Sequence, residues 1–290
     1  MLLEVTLSGV TLGGMYALVA MGLTLQYGVA RIMNLSYGEL LIAAAFAALW
    51  FYSGLALSPL LGLLVVPPLA FALSYAIYRI LLQPLVRRAK TRDALEVDSI
   101  LATFGLLFVI QGVMLAAFGG AYYSYSFLSI PLHIAGATVA ANRLLALVLA
   151  VVIGLGLYLA LTRTRLGTAV RAVAVDPVAA QLVAIDVRTA SALAFALGGA
   201  LVAAAGVLVS MFLTFNANLG VVFTLKALVV VIMGGVGNLL GALIAGLVLG
   251  LVENYVAVFV DPGLTLAATY AIFLLVLLVR PQGLLGRSSR

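Results

Sequence analysis

Three ionisable residues, Glu39, Lys226 and Glu253, stand inside or at the edge of long hydrophobic runs. Ionisable groups at membrane depth are costly, and they mark ion or substrate paths, proton relays or buried pairs. Glu39 closes the polar stretch Asn34–Glu39 (NLSYGE), where Asn34, Ser36 and Tyr37 place an amide and two hydroxyls beside the carboxylate. Such a set can line a path for a small polar solute. It also suits a plain helix start, because the helix dipole favours a carboxylate in the first turn. Glu253, with Asn254, reads as lying in the outward half of its span, near the interface. Lys226 reads as snorkelling to outer headgroups. The motifs of nucleotide hydrolysis and of a membrane-embedded hydrolase are missing. There is no GxxxxGK[ST] and hence no P-loop, no HExxH and no GxSxG. With no cysteine and one histidine, His133, thiolate and His-cluster metal sites are excluded. His133 reads as one polar residue of an outward segment.

The elements that must hold these residues are transmembrane helices. The chain has 290 residues, 66% hydrophobic and 8% charged, with a mean hydropathy of +1.29. Soluble domains carry about a quarter charged residues. The apolar runs are long and lack period two, which selects helices over a barrel. A span needs about 20 apolar residues. The runs at 6–28, 38–52, 60–82, 99–119, 143–161, 189–213, 222–236, 240–260 and 264–280 meet or approach that, with 38–52 and 222–236 short. The expectation is an all-α polytopic membrane protein, a single transmembrane domain over 1–290 with eight or nine spans. The N-terminus lacks a basic region and a cleavage site, so it reads as the first span. Pro67-Pro68 falls inside a span and is expected to kink it.

Basic residues cluster at Arg87, Arg88, Lys90 and Arg92, at Arg163–Arg188, and at Arg280, Arg287 and Arg290. The positive-inside rule puts all three clusters in the cytoplasm, and even numbers of spans separate them. With nine spans the N-terminus lies outside and the C-terminus inside. The net charge of +6 then marks cytoplasmic loops and not nucleic-acid binding. Residues 120–142 face outward, with tyrosines suited to the interfacial aromatic belt.

Two glycine-rich or polar breaks adjoin the short spans: Asn34–Glu39 and Gly234–Gly241 (GGVGNLLG). Their contexts, ARIMNLSYGELLIAAAF and VVVIMGGVGNLLGALIAG, form a weak internal repeat. Interrupted helices in corresponding halves point to a translocation path. Asn34, Ser36, Tyr37, Glu39, Gly234, Gly235, Gly237 and Asn238 are its candidate lining, and tight interhelical turns are the plainer alternative. Gly9-xxx-Gly13, Gly237-xxx-Gly241 and Gly246-xxx-Gly250 predict close helix contacts.

The one long polar connection runs from Thr162 to Arg188. Asp176 suits an N-cap and Pro177 the first helical position. Val178, Ala179, Leu182 and Val183 give a short apolar face. A capped helix on a basic loop reads either as a docking element or as an ordinary loop with a helical turn.

Four stretches, Gly22–Leu41, Arg163–Val187, Ala227–Glu253 and Leu278–Gly286, resemble the LivH-type permeases of bacterial branched-chain amino-acid ABC importers, in the family's order and over nearly the whole chain. The resemblance implies an inner-membrane importer with a second, LivM-like permease as heterodimer partner. Two cytoplasmic ATP-binding subunits and a periplasmic substrate-binding protein complete it. No cofactor belongs to this chain; ATP and magnesium sit on the partner ATPases. By the same resemblance 162–188 holds a coupling helix, with Arg163, Arg165, Arg171, Asp176, Pro177, Val178, Gln181 and Leu182 at the ATPase contact. Asn216 and Asn218 would face the binding protein. The chain departs from the family pattern at Leu35-Ser36-Tyr37, where phenylalanine, alanine and histidine are usual. It departs again at Ala184-Ile185-Asp186, for Gly-Ile-Asn, and at Gly237-Asn238, for Gly-Ser. Two other functions remain open on residues alone: an ion-coupled secondary transporter, and a passive channel for a neutral solute such as urea.

Overall fold

The computed structural model describes residues 1–89, 91–134 and 136–286. Lys90, Arg287 and Arg290, and the side chain of Arg92, lie outside that description.

Nine apolar helices make the body of the described chain. Seven are long and apolar enough to cross a membrane, and Tyr37–Ser53 and Gly220–Gly234 are shorter. In order they are α1 (Leu2–Leu25, extended by a π-helical turn, Gln26–Ala30), α2 (Tyr37–Ser53) and α3 (Pro59–Ile77). A second π-helical turn and α4 (Gln83–Arg88) prolong α3, and α5 is Arg92–Phe118. A hairpin of β1 (Pro131–Ile134) and β2 (Ala137–Ala140) leads into α6 (Ala141–Arg163). Two short helices, α7 (Arg165–Val175) and α8 (Pro177–Leu182), precede α9 (Val187–Ser210), α10 (Gly220–Gly234), α11 (Leu239–Phe259) and α12 (Thr265–Val279). All nine expected apolar runs are helices, with ends shifted by a few residues.

Helix starts follow the caps written in the sequence. Ser58, Thr91, Thr164, Asp176, Asp186 and Asn238 each accept backbone N–H groups of the turn they open. These side chains satisfy donors that a helix start leaves free. The hairpin was not anticipated. Its register pairs Leu132 with Val139 and His133 with Thr138, and Glu4 of α1 accepts from Thr138 N–H at 2.9 Å.

α9 is the most enclosed helix, while α3, α5 and α12 leave most of their apolar surface uncovered. α1 and α11 touch through small residues. A Cβ built on Gly13 would come within 2.8 Å of the Leu247 Cα, and one on Gly250 would overlap the backbone of Gly13. Gly9-xxx-Gly13 and Gly246-xxx-Gly250 are thus the two sides of one seam. Dispersion between backbones holds it, since apolar side chains gain little by leaving lipid for protein.

Candidate functional site

The chain between α1 and α2 is a buried irregular segment that satisfies itself locally. It begins at Arg31, in the left-handed region at φ 56°. Asn34 donates to Gln26 Oε1 at 3.1 Å, and its Oδ1 accepts from Ser36 N–H at 3.1 Å and Ser36 Oγ at 2.7 Å. Gln26 in turn donates to the Phe195 carbonyl at 2.8 Å. The Thr103 hydroxyl accepts from Leu35 N–H and donates to the Met33 carbonyl, both at 3.1 Å. Backbone groups freed from a helix at membrane depth need such partners. Tyr37 is fully buried, and its hydroxyl reaches the carbonyls of Val19 (2.9 Å) and Gly198 (3.1 Å), tying α2 to α1 and α9.

The start of α10 meets this segment. Gly38 N–H donates to Thr224 Oγ1 at 2.8 Å, and the same hydroxyl reaches the Leu35 carbonyl at 3.2 Å. A Cβ on Gly38 would overlap the Gly220 carbonyl oxygen, and one on Gly220 would overlap the Glu39 carboxylate. The first turns of two short helices are therefore pressed together with Glu39 between them. Glu39 is fully buried, and neither carboxylate oxygen has a hydrogen-bond partner among the described residues.

Gly234, Gly235, Gly237 and Asn238 are elsewhere. They form the turn from α10 to α11, with Gly235 at φ 101° and Gly237 at φ 79°. Asn238 caps α11 through Gly241 N–H at 3.0 Å and donates to the Leu285 carbonyl at 2.8 Å. Fourteen residue steps of α10 part this turn from Gly220, about 21 Å of helix. The structure brings Asn34, Ser36, Tyr37 and Glu39 together and leaves the four others at the far end of α10. What faces the first break is the beginning of the second short helix, and the glycine-rich stretch is a tight turn.

The other two intramembrane charges find each other. Lys226 Nζ lies 2.9 Å from Glu253 Oε2 and 2.7 Å from the Tyr16 hydroxyl, 4.9 Å from the centre of that ring. Tyr16 donates to Glu253 Oε2 at 2.7 Å, and Thr269 donates to Oε1 at 2.5 Å. This corrects the snorkelling expectation for Lys226, whose ammonium turns to Glu253, itself 3% exposed. A lone ammonium reaches for water, but a carboxylate on the neighbouring helix is a nearer partner. Asn216 is also corrected: it is buried, while Asn218 is exposed and accepts from Gln111 at 3.0 Å.

The polar connection is built as its caps indicate. Asp176 Oδ1 accepts from Val178 N–H at 2.8 Å and Ala179 N–H at 3.1 Å. Behind Pro177, α8 tucks Ala180 inward and exposes Val178, Gln181 and Leu182. Arg163, Arg165 and Arg171 are exposed. Asp186 caps α9, and hydrogen bonds from the Thr189 side chain and backbone hold its carboxyl below the ordinary value of 3.8.

Residues 5–279 match the family model described as branched-chain amino acid transport system / permease component. The chain belongs to that family. Among curated relatives of the permease is the high-affinity branched-chain amino acid transport system permease protein BraD of Pseudomonas aeruginosa. It is 30% identical over 98% of this chain and 96% of its own length. The LivH protein of Escherichia coli K12, of the same description, is 29% identical over the same shares. In fold the permease resembles the structure of PsaBC from Streptococcus pneumoniae in complex with Fab. That likeness has a TM-score of 0.50 at 12% identity and covers 97% of this chain and 92% of the other. The permease is a multi-pass membrane protein and a transport subunit, not an enzyme. Gln26, Thr103 and Thr224, which bind the break, escaped the sequence reading. Their signal was a polar residue inside an apolar span.

Proposed function

We propose that this permease is the membrane-spanning subunit of an ATP-driven importer for branched-chain or related neutral amino acids, in a bacterial inner membrane. The observation that carries the reading is α8. Val178 and Leu182 on this capped helix are 69% and 84% exposed, and Val175 and Val183, which flank it, are 76% and 69% exposed, all outside the apolar spans. A cluster of bare aliphatic side chains on a polar connection marks a protein contact. With no P-loop in this chain, hydrolysis must come from a partner, and α8 flanked by Arg163, Arg165 and Arg171 is the element offered to it. In this reading two cytoplasmic ATP-binding subunits dock there with ATP and magnesium. A LivM-like second permease and a periplasmic binding protein complete the importer, and the C-terminus is cytoplasmic. The path passes where the first turns of α2 and α10 meet, with Asn34, Ser36 and Glu39 as its polar groups. Gly235 and Gly237 give the α10–α11 turn the freedom to follow.

The test is a mild-detergent pull-down from native membranes with mass identification, then ATP-dependent uptake in proteoliposomes for Leu182→Asp and Asp176→Lys. ATPase chains and a second permease should co-purify, and both substitutions should abolish coupled uptake while the permease still inserts. Uptake that persists without ATP when the chain is purified alone defeats the reading. A cation- or proton-coupled transporter is then the second reading, favoured by the unpartnered Glu39, and it predicts uptake that follows an ion gradient.

A further inference from the structure

A cavity of about 840 Å³ opens where the ends of α1 and α6, the start of α5, α7 and the α10–α11 turn converge. Its walls join two chemistries. Leu25, Val29 and Leu161 give it an apolar side continuous with the spans, while Arg31 and Arg171 line it with guanidinium groups. Neither arginine takes part in an ion pair among the described residues. Glu96, the one carboxylate in the lining, is engaged by the Tyr27 hydroxyl at 2.6 Å, so the described charges sum to an excess of one positive. Thr24 also lines the cavity; it is 1% exposed and its hydroxyl has no hydrogen-bond partner.

Arg31 carries a further sign. It holds a left-handed conformation, φ 56° and ψ 34°, at the end of the α1 π-turn. Glycine adopts that conformation without cost, and an L side chain does not. A cationic side chain kept at a strained position, beside a cavity and with no counter-ion among the described residues, suits an anion from elsewhere.

We infer that this cavity holds an anionic phospholipid of the leaflet at the α6–α7 end of the bundle. The phosphate lies between Arg31 and Arg171, and an acyl chain follows Leu25 and Leu161. Basic pockets between transmembrane helices bind lipid headgroups by this combination. A soluble anion matches the arginines and leaves the apolar wall uncovered. A branched-chain amino acid matches the wall and brings its carboxylate with an ammonium that two arginines repel. That the leaflet is the cytoplasmic one rests on the proposed importer orientation. Lipid retention does not, so the two fail separately.

The test is native mass spectrometry and thermal unfolding of the full chain, delipidated in mild detergent and titrated with phosphatidylglycerol, phosphatidylcholine, glycerol 3-phosphate or leucine. Phosphatidylglycerol should be retained over phosphatidylcholine. Arg171→Gln and Arg31→Gly should each lower that retention roughly fivefold, near the worth of one cation at a charged surface. Arg188→Gln, outside the cavity lining, should not. Without lipid, Arg31→Gly should unfold at or above the wild-type temperature, because glycine relieves the backbone, and phosphatidylglycerol should raise it less than it raises the wild type. Equal retention by Arg31→Gly and Arg171→Gln overturns the inference. So does equal protection by glycerol 3-phosphate, which makes the site one for soluble anions, or by leucine, which makes it part of the path.

Discussion

Glu253 and Glu39 are both buried glutamates inside an apolar bundle, and they are treated in opposite ways. Glu253 receives Tyr16, Lys226 and Thr269, from three other helices. Glu39 receives no donor among the described residues and is packed against a glycine. A buried charge with a full set of partners behaves as a fastener: the pair adds little net stability, but loss of one partner is expensive. A buried carboxylate without partners keeps its desolvation cost, and native structures retain few such groups. Depth in the membrane therefore does not sort these residues by role. Their hydrogen-bond partners do.

The largest expected effect breaks the fastener. Lys226→Met leaves Glu253 with two neutral donors and an uncompensated charge, and should destabilise the chain by about 3–5 kcal/mol. Thermal unfolding in detergent checks this, and adding Glu253→Leu to Lys226→Met should recover most of the loss. A single mutant as stable as the wild type would remove the contrast altogether. Next comes the crowded partner of Glu39. Gly220→Ala drives a methyl into the carboxylate and should cost roughly 1–3 kcal/mol, as overpacking does. In the Glu39→Ala background the same change should cost much less, because the space is vacant. Glu39→Gln, which loses no donor, should unfold at or above the wild-type temperature while uptake changes. Lower stability of Glu39→Gln would mean that the carboxylate has a partner after all.

Two exposed carboxylates sharpen the contrast at the small end. Asp176→Ala removes the cap of α8 and should cost about 1 kcal/mol locally. Hydrogen exchange should quicken at Val178 and Ala179, and Asp176→Asn should restore it. At Asp186 the folded carboxyl titrates below its ordinary value because Thr189 donates to it. Its contribution is thus fully present above that ordinary value and fades as pH falls through the lower folded one. An acid titration comparing wild type with Thr189→Val should show the wild-type advantage shrinking only below about pH 4. The effect is slight, since water screens the site.

The parts legible in the sequence are those that a single helix determines. Nine apolar runs gave nine helices, because length and hydropathy act within each run. Asp176-Pro177 gave the start of α8, because a cap is a local contact. The two GxxxG faces of α1 and α11 were visible, though not that they face each other. What failed needed two helices at once. Lys226 read as snorkelling because its own span offers no counter-ion; the carboxylate comes from α11. Two opposite charges in separate spans were nonetheless a signal for a pair. The break at Gly234–Gly241 does lie where the glycines put it, between the end of α10 and the start of α11; that it stands a helix length from Asn34–Glu39 needed the fold. The loop that leads into α10 carries Phe215 and Asn216, which look like an ordinary outward connection. The hairpin at 131–140 escaped because four-residue strands hardly show alternation.

The seam between α1 and α11 bears on how the molecule is made. Synthesis delivers α1 to the bilayer well over two hundred residues ahead of α11, yet Gly9 and Gly13 are shaped for that late arrival alone. Until then the glycine face of α1 has no helix to close on it. A chain cut short before Leu239 can insert every earlier span and still lack its closure.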